Sequence, residues 1–225
     1  GLSIDTIELS TMPKKHIGDI ESWNKAEELL EKALKKNKTT YKVNPGDGAF
    51  YGPKIDFHVK DVLGRSWQLG TIQVDFNLPE RFKLFYIDEK NEKKQVTMLH
   101  RAMLGAVERF MAILIENCNG AFPLWLAPVQ VRIINMNDTL IEYSEGIEKK
   151  FRDAGFRVDS DYRLESVGKK VREASLMKIP YVIVIGDKEK DAGTLAVRSR
   201  GDKPKFGVKF DNLIKDMKKE VESKK

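Results

Sequence analysis

This chain of 225 residues lacks several things that would fix its chemistry at once. It has one cysteine, Cys118, so no internal disulfide can form; that fits a reducing compartment such as the cytoplasm. It has no C-x-x-C, no H-E-x-x-H and no Cys–His pair arranged for nucleophilic attack. G-x-x-x-x-G-K-[ST] and G-x-G-x-x-G are both missing, which argues against a P-loop and against a dinucleotide fold. No apolar run approaches the length needed to cross a bilayer; Met111–Ile115 is typical, so no membrane partner is expected. Gly1–Ser10 has no basic head followed by an apolar block, so a secretory leader is not expected there. Internal repeats are missing too, and biased composition is confined to the lysine-rich end.

What is present begins with charge. The net charge is +6 and the isoelectric point about 9.2, a mild basicity that permits a nucleic-acid partner without requiring one. Part of it lies in Lys215–Lys225, which reads as the solvated face of a helix. Ile4–Ser10 alternates as a strand with no helix or cap before it. A chain that starts inside a sheet suggests a piece of a longer protein.

The order of elements divides the chain in two. Ser22 is a candidate cap for a helix over Trp23–Lys36, with Ala26, Leu29, Leu30, Ala33 and Leu34 as its buried stripe. Thr39–Val43 reads as a short strand and Asn44–Gly48 as a turn. Strands over Lys54–Lys60 and Ser66–Phe76 follow, joined at Leu63-Gly64. Leu84–Asp88 and Lys94–Leu99 read as a second hairpin. The first part is therefore expected to be antiparallel β. The Gly- and Pro-rich stretch Asn119–Pro128 marks a boundary, giving expected domains 1–122 and 123–225. Beyond it, strands at Val129–Met136, Phe156–Ser160, Tyr181–Ile185 and Thr194–Arg200 alternate with helices at Thr139–Ala154, Val167–Lys178 and Asp211–Ser223. Tyr181–Ile185 is apolar enough to be central. This order predicts a small α/β domain with a mixed sheet.

Three places carry candidate chemistry. In Thr97–Cys118 a strand passes His100, turns through Gly105 and becomes an amphipathic helix with Val107, Phe110, Met111, Leu114 and Ile115 on one face. Arg109 falls in its first turns, where a cation opposes the helix dipole. Either Glu108 and solvent absorb that cost, or Arg109 meets an anion brought by a ligand. Among the three histidines, His16 reads as surface loop and His58 as a half-exposed strand residue, while His100 sits at a strand–helix junction. In Arg65–Asp75, alternation places Trp67, Leu69, Thr71, Gln73 and Asp75 on one face, with Gln68 opposite unless Gly70 introduces a bulge. Such a face is either solvent-exposed or the floor of a polar ligand site.

Five blocks resemble one family. GAFYGPKIDF (Gly48–Phe57), GRSWQLGTIQVDFNLPERF (Gly64–Phe82) and LHRAMLGAVERFMAIL (Leu99–Leu114) resemble the catalytic domain of threonyl-tRNA synthetases. PLWLAPVQV (Pro123–Val131) and VIGDKEKDAGTLAVRSR (Val184–Arg200) resemble their anticodon-binding domain. The resemblance implies an α/β protein. It would have the rear of an antiparallel-sheet class II synthetase catalytic domain, then a small α/β anticodon-binding domain with a mixed sheet.

The resemblance also implies a ligase that activates threonine with ATP and Mg²⁺ and passes it to threonine tRNA, as a cytoplasmic homodimer. Arg109 matches the catalytic, ATP-binding arginine of the third class II motif, and Gln68 and Thr71 match the ATP side. Tyr51, Gln73 and Lys54 match the threonine side. His100 matches one ligand of a zinc ion (Zn²⁺) whose other two ligands, a cysteine and a histidine, lie upstream of the part covered here; Cys118 does not match that cysteine. Glu189, Arg198 and Arg163 match the anticodon readers, while Leu164 stands where bacterial members have asparagine. The first two class II motifs and the editing domain have no counterpart in this chain. It is thus expected to be inactive alone, and the alternative is a non-catalytic, tRNA-binding fragment or split subunit.

Overall fold

A computed structural model describes residues 2–224. The chain folds as two units, Gly1–Asn117 and Cys118–Lys225.

In the first unit the elements run β1 (Ile4–Ser10), α1 (Ile20–Lys36), β2 (Lys42–Asn44), β3 (Lys54–Lys60), β4 (Ser66–Asp75), α2 (Asn77–Arg81), β5 (Phe85–Ile87), β6 (Lys93–Gln95), β7 (Met98–Ala102) and α3 (Val107–Asn117). Five strands form one sheet in the order β2-β1-β3-β4-β7. All neighbours are antiparallel except β1 and β2, which run parallel. The expected strand Lys94–Leu99 is in fact two: β6 closes a small hairpin with β5, whereas β7 begins after Val96-Thr97 and joins the main sheet beside β4. The short helix α2 was not legible, because five residues cannot display a helical period.

Helix α1 lies against one face of the sheet through Ala26, Leu30 and Leu34, while Trp23 is buried beside Ile17 and His16. Its N-cap is Asp19, not Ser22: the Asp19 carboxylate accepts from the Ser22 N–H at 2.7 Å, and the Ser22 hydroxyl itself donates to Asp19. The buried stripe is rotated from the expected one, leaving Leu29 and Ala33 exposed. Trp23 is the bulkiest fully buried side chain among the described residues, and its indole N–H donates to Ile17 O at 2.9 Å.

Between β3 and β4, Asp61 organises the turn. Its carboxylate accepts from the Leu63 and Arg65 N–H groups, from Arg65 Nε and from Trp67 Nε1. Burial pushes this carboxyl up, but the hydrogen bonds from Trp67 and Arg65 outweigh it and hold the pKa at about 2.

Helix α3 departs from expectation. Only Ile113 is fully buried, against Val59 and Leu69, with Phe110 packed beside it; Val107, Met111 and Ile115 are exposed. The helix packs through Ile113 and Phe110 where β3 ends and β4 begins, and most of its apolar stripe is exposed among the described residues.

The second unit runs β8 (Val131–Asn135), a 3₁₀ turn (Asp138–Leu140), α4 (Ile141–Asp153), β9 (Val158–Asp161), α5 (Val167–Leu176), β10 (Tyr181–Ile185), α6 (Asp187–Ala192), β11 (Leu195–Ser199), β12 (Lys205–Val208) and α7 (Phe210–Ser223). Its sheet has the order β12-β11-β10-β8-β9, so β10 is central as its apolar sequence predicts. β9, β8 and β10 are parallel; β11 and β12 return antiparallel, giving the expected mixed sheet. Ile133, Ile183 and Ile185 pack with Phe151 of α4 and Met217 of α7, while Ile134, Val182 and Val184 pack with Ala174 of α5 on the other face. Gly155 ends α4 with φ +93°, a backbone conformation that favours glycine. Two elements went unread. The α6 sequence DKEKDA has no apolar stripe, and β12 carries Gly207, a residue that weakens strand patterns.

Candidate functional site

Sheet register decides which side chains of the first unit share a face. Opposite residues lie on the same side. Ser10 pairs with Lys54, Lys54 with Gln73 and Gln73 with His100. One row on, Glu8 pairs with Asp56, Asp56 with Thr71 and Thr71 with Ala102. The apolar alternates Leu9, Ile55 and Val74 face α1 on the other side. The register shifts after Phe57: Phe57 opposes Gly70 but His58 opposes Gln68, leaving Leu69 as an extra residue. The irregularity at Gly70 therefore exists, and it corrects the simple alternation. Trp67 and Leu69 turn to the apolar side, where they pack with Val59 and Ile113, while Gln68 joins the polar face.

Asp56 is the hub of that face. It is 1% exposed. Its Oδ2 accepts from Ser10 Oγ at 2.9 Å and pairs with Lys54 Nζ at 2.7 Å, and its Oδ1 accepts from Gln68 Nε2 at 2.5 Å. Lys54 also reaches Asp47 at 3.2 Å. Burial works against the Lys54 ammonium, but its hydrogen bonds to Asp56 and Asp47 more than offset this and raise its pKa. The Thr71 hydroxyl oxygen is buried and has no partner among the described residues.

A second cluster lies at the β7 side. The Tyr51 hydroxyl donates to Gln73 Oε1 at 2.5 Å, which leaves the Gln73 NH₂ group free to donate elsewhere. His100 Nε2 lies 2.9 Å from Asp75 Oδ2, and the Tyr51 and His100 rings meet edge to face with centroids 6.0 Å apart. Burial pushes the Asp75 carboxyl up, yet hydrogen bonds from His100 and from the Leu78 and Asn77 N–H groups hold it below the usual carboxylate range. Burial and the Asp75 charge push the Tyr51 phenol up. A cavity of about 240 Å³ opens here, lined among others by Phe50, Tyr51, Asp75, Asn77, Arg81 and His100. Asp56 and Arg81 join these clusters although neither is a candidate from the sequence. Asp56 was findable: in Lys54–Lys60 the polar Lys54, Asp56 and His58 alternate with Ile55, Phe57 and Val59.

Arg109 borders the first cluster through the backbone of Gln68. It is exposed in the first turn of α3, donates to Gln68 O at 3.2 Å and lies 5.6 Å from the Trp67 ring centroid. It makes no ion pair with Glu108 or any other carboxylate among the described residues. No three His, Cys, Asp or Glu side chains among the described residues come together to hold a metal ion. His100 with Asp75 is not a zinc centre by itself. No helix is long and apolar enough to cross a membrane among the described residues.

In the second unit the topology itself points to a site. From β8 the chain moves to β9 on one side and then to β10 on the other. The crevice beyond the carboxyl ends of β8 and β10 is where open α/β sheets bind ligands. Met136, Asn137, Gly186 and Glu189 follow those strand ends. The Glu189 Oε2 atom accepts from the Gly186 N–H at 3.1 Å, and beneath β8 the buried Lys170 ammonium donates to Asn135 Oδ1 at 3.0 Å. Arg198 sits on β11 opposite Val182, half-buried, and its guanidinium has no hydrogen-bond or ion-pair partner among the described residues. Arg163 differs: its guanidinium is held by Asp161 and Glu173. The three residues make no mutual contacts among the described bonds.

Comparison with known proteins agrees with this division. Residues 11–118 match the tRNA synthetase class II core domain (G, H, P, S and T), and residues 130–220 match the anticodon binding domain. A threonine–tRNA ligase from Desulfatibacillum aliphaticivorans is 50% identical over 218 residues, covering 97% of this chain and 34% of that protein. One from Herminiimonas arsenicoxydans is 49% identical over 216 residues, covering 96% and 34%. The crystal structure of the RNA binding domain of threonyl-tRNA synthetase from Cryptosporidium parvum Iowa II superposes with a TM-score of 0.89 at 40% identity, covering 95% of this chain and 54% of that one. The chain thus spans about a third of the length of the curated relatives it matches. It belongs to the threonyl-tRNA synthetase family, of which it carries a class II core segment and the anticodon-binding domain.

Proposed function

We propose that this chain is part of a threonine–tRNA ligase, with the polar face of its first sheet serving as floor for ATP and threonine and its second unit holding threonine tRNA. The observation that carries the reading is the two-sidedness of the first sheet. Lys54, Asp56, Gln68, Thr71, Gln73 and His100 share one face, while the other packs on α1. An unpartnered buried hydroxyl at Thr71 is costly unless something completes it, by about 1–3 kcal/mol.

In this reading Tyr51, Gln73 and Lys54 face threonine. Tyr51 fixes the Gln73 carboxamide so that its NH₂ group donates to the amino acid. Gln68 and Thr71 face ATP, and Arg109 offers its unused N–H groups to phosphate, a task a planar guanidinium suits. No side chain of this chain reacts covalently. Its residues orient the carboxylate of threonine toward the α-phosphate and neutralise charge as it shifts to pyrophosphate. Mg²⁺ would enter with ATP. His100 would supply one donor to a zinc ion, and this chain alone does not complete the ligand set. The chain by itself is then a tRNA-holding piece with part of a catalytic floor, inactive in forming threonyl-adenylate; a cytoplasmic homodimer belongs to the same reading for the longer protein.

In the second unit Glu189 keeps one carboxylate oxygen for a base amino group, and the unpaired Arg198 is available to fork onto a base edge. Arg163 reaches RNA only by leaving its carboxylate partners. Replacing Arg198 by alanine is expected to weaken binding of threonine tRNA to this chain by about 1–3 kcal/mol at fixed salt. Filter-binding or anisotropy titrations measure it; unchanged affinity removes Arg198 from the recognition surface.

A further inference from the structure

We propose that Asp56 is the positioning residue of the polar floor, and that it forces Gln68 to present an acceptor to the bound ligand. This rests on the reading of that face as a ligand floor. A carboxylate can only accept hydrogen bonds, so the group of Gln68 that meets Asp56 Oδ1 must be the NH₂ end. The carbonyl end, Oε1, is then the part left for a ligand, and it recognises a donor such as an amino or hydroxyl group. The second oxygen of Asp56 is taken by Ser10 and Lys54, so the carboxylate has little freedom to turn. Ser10 and Asp56 are both essentially sealed from water, at 0% and 1% exposure. The floor therefore alternates in hydrogen-bond sense: Gln73, whose Oε1 is occupied by Tyr51, offers a donor, and Gln68, whose NH₂ is occupied by Asp56, offers an acceptor. Two glutamines five residues apart on one strand are thereby given opposite roles by two different partners. That distinction is invisible in the residues themselves and specifies how a ligand carrying both donors and acceptors must lie.

An exchange of charge between two positions tests it. In Asp56→Asn the new amide keeps its oxygen toward Lys54 and Ser10 and turns its NH₂ toward Gln68, so Gln68 must flip and present a donor. Gln68→Glu sets two carboxylates against each other. The double change D56N with Q68E restores an acceptor at that point and preserves the net charge. Dissociation constants for ATP and for threonine are measured on the intact 225-residue chain and its three variants, with thermal unfolding as the check that each is folded. The expected result is about tenfold weaker binding of ATP in D56N, the size of one lost hydrogen bond, and recovery in the double variant. Unchanged binding in a folded D56N overturns the positioning role, as does a double variant no better than D56N. If D56N does not fold, the side-chain amide resonances of Gln68 in the unaltered chain decide. One strongly downfield-shifted, exchange-protected proton supports the contact with Asp56, and two free-solvent resonances overturn it. Failure of the unaltered chain to bind either probe, with that proton still shifted, counts against the ligand-floor reading and withdraws the acceptor role that depends on it.

Discussion

Replacing Arg109 by alanine is expected to lower threonine-dependent ATP–pyrophosphate exchange by about 10²–10³-fold, the usual effect of removing one fixed electrostatic contact to a reacting phosphate. The measurement belongs in a chain of the relatives' length that carries these residues, since the present one spans a third of them. Folding should be nearly untouched. Arg109 is exposed, has no carboxylate partner among the described residues, and contributes one hydrogen bond to Gln68 O and a distant contact with the Trp67 ring. Exposed substitutions of this kind usually change stability by less than about 0.5 kcal/mol. The combination of a large kinetic loss with an unmoved unfolding midpoint separates a role toward ligand from a packing role. Equal exchange rates in the two proteins would place the phosphate contact elsewhere.

The Gly52→Ala exchange should do the opposite, costing stability first. A Cβ at Gly52 would lie 1.7 Å from Val74 O and 2.8 Å from its carbonyl carbon. Both partners are backbone, and Val74 N is already committed to Pro53 O at 3.0 Å, so neither can step aside cheaply. The Tyr51–Pro53 segment must lift from β4. That movement would pull Tyr51 from Gln73 and disturb the Asn77 bond to Tyr51 O. A loss of about 3 kcal/mol or more is expected, at the upper end of overpacking costs. Urea unfolding followed by tryptophan fluorescence measures it, and a midpoint equal to that of the unaltered chain would contradict the close approach.

How much of this was legible follows from what each signal needs. The order of elements in the second unit was readable because β8 and β10 are short apolar runs between amphipathic helices, and Phe156 and Val158 alternate with polar residues just before and within β9. Helix α6 was not, since it carries no apolar stripe, and β12 was not, since four residues with Gly207 among them make too short a strand pattern. In the first unit the polar character of Thr71, Gln73 and Asp75 was visible by alternation, and Gly70 hinted at the irregularity. The face of Gln68 depended on one extra residue, Leu69, and strict period-2 reasoning fails at such a point. Asp19 took the cap from Ser22 because both flank the helix start and local sequence does not rank them. The α3 stripe was read correctly as apolar, but apolarity does not say what covers it. The polar face of Asp56 is visible by alternation with Lys54 and His58, but its burial is not, because only the register places Ser10, Lys54 and Gln68 around it.

The most direct measurement is the affinity of this 225-residue chain for threonine tRNA compared with the same tRNA carrying altered anticodon bases, at one fixed salt concentration. The account predicts weaker binding of the altered tRNA by about 1–3 kcal/mol per lost base contact. Equal affinities for the two would contradict it.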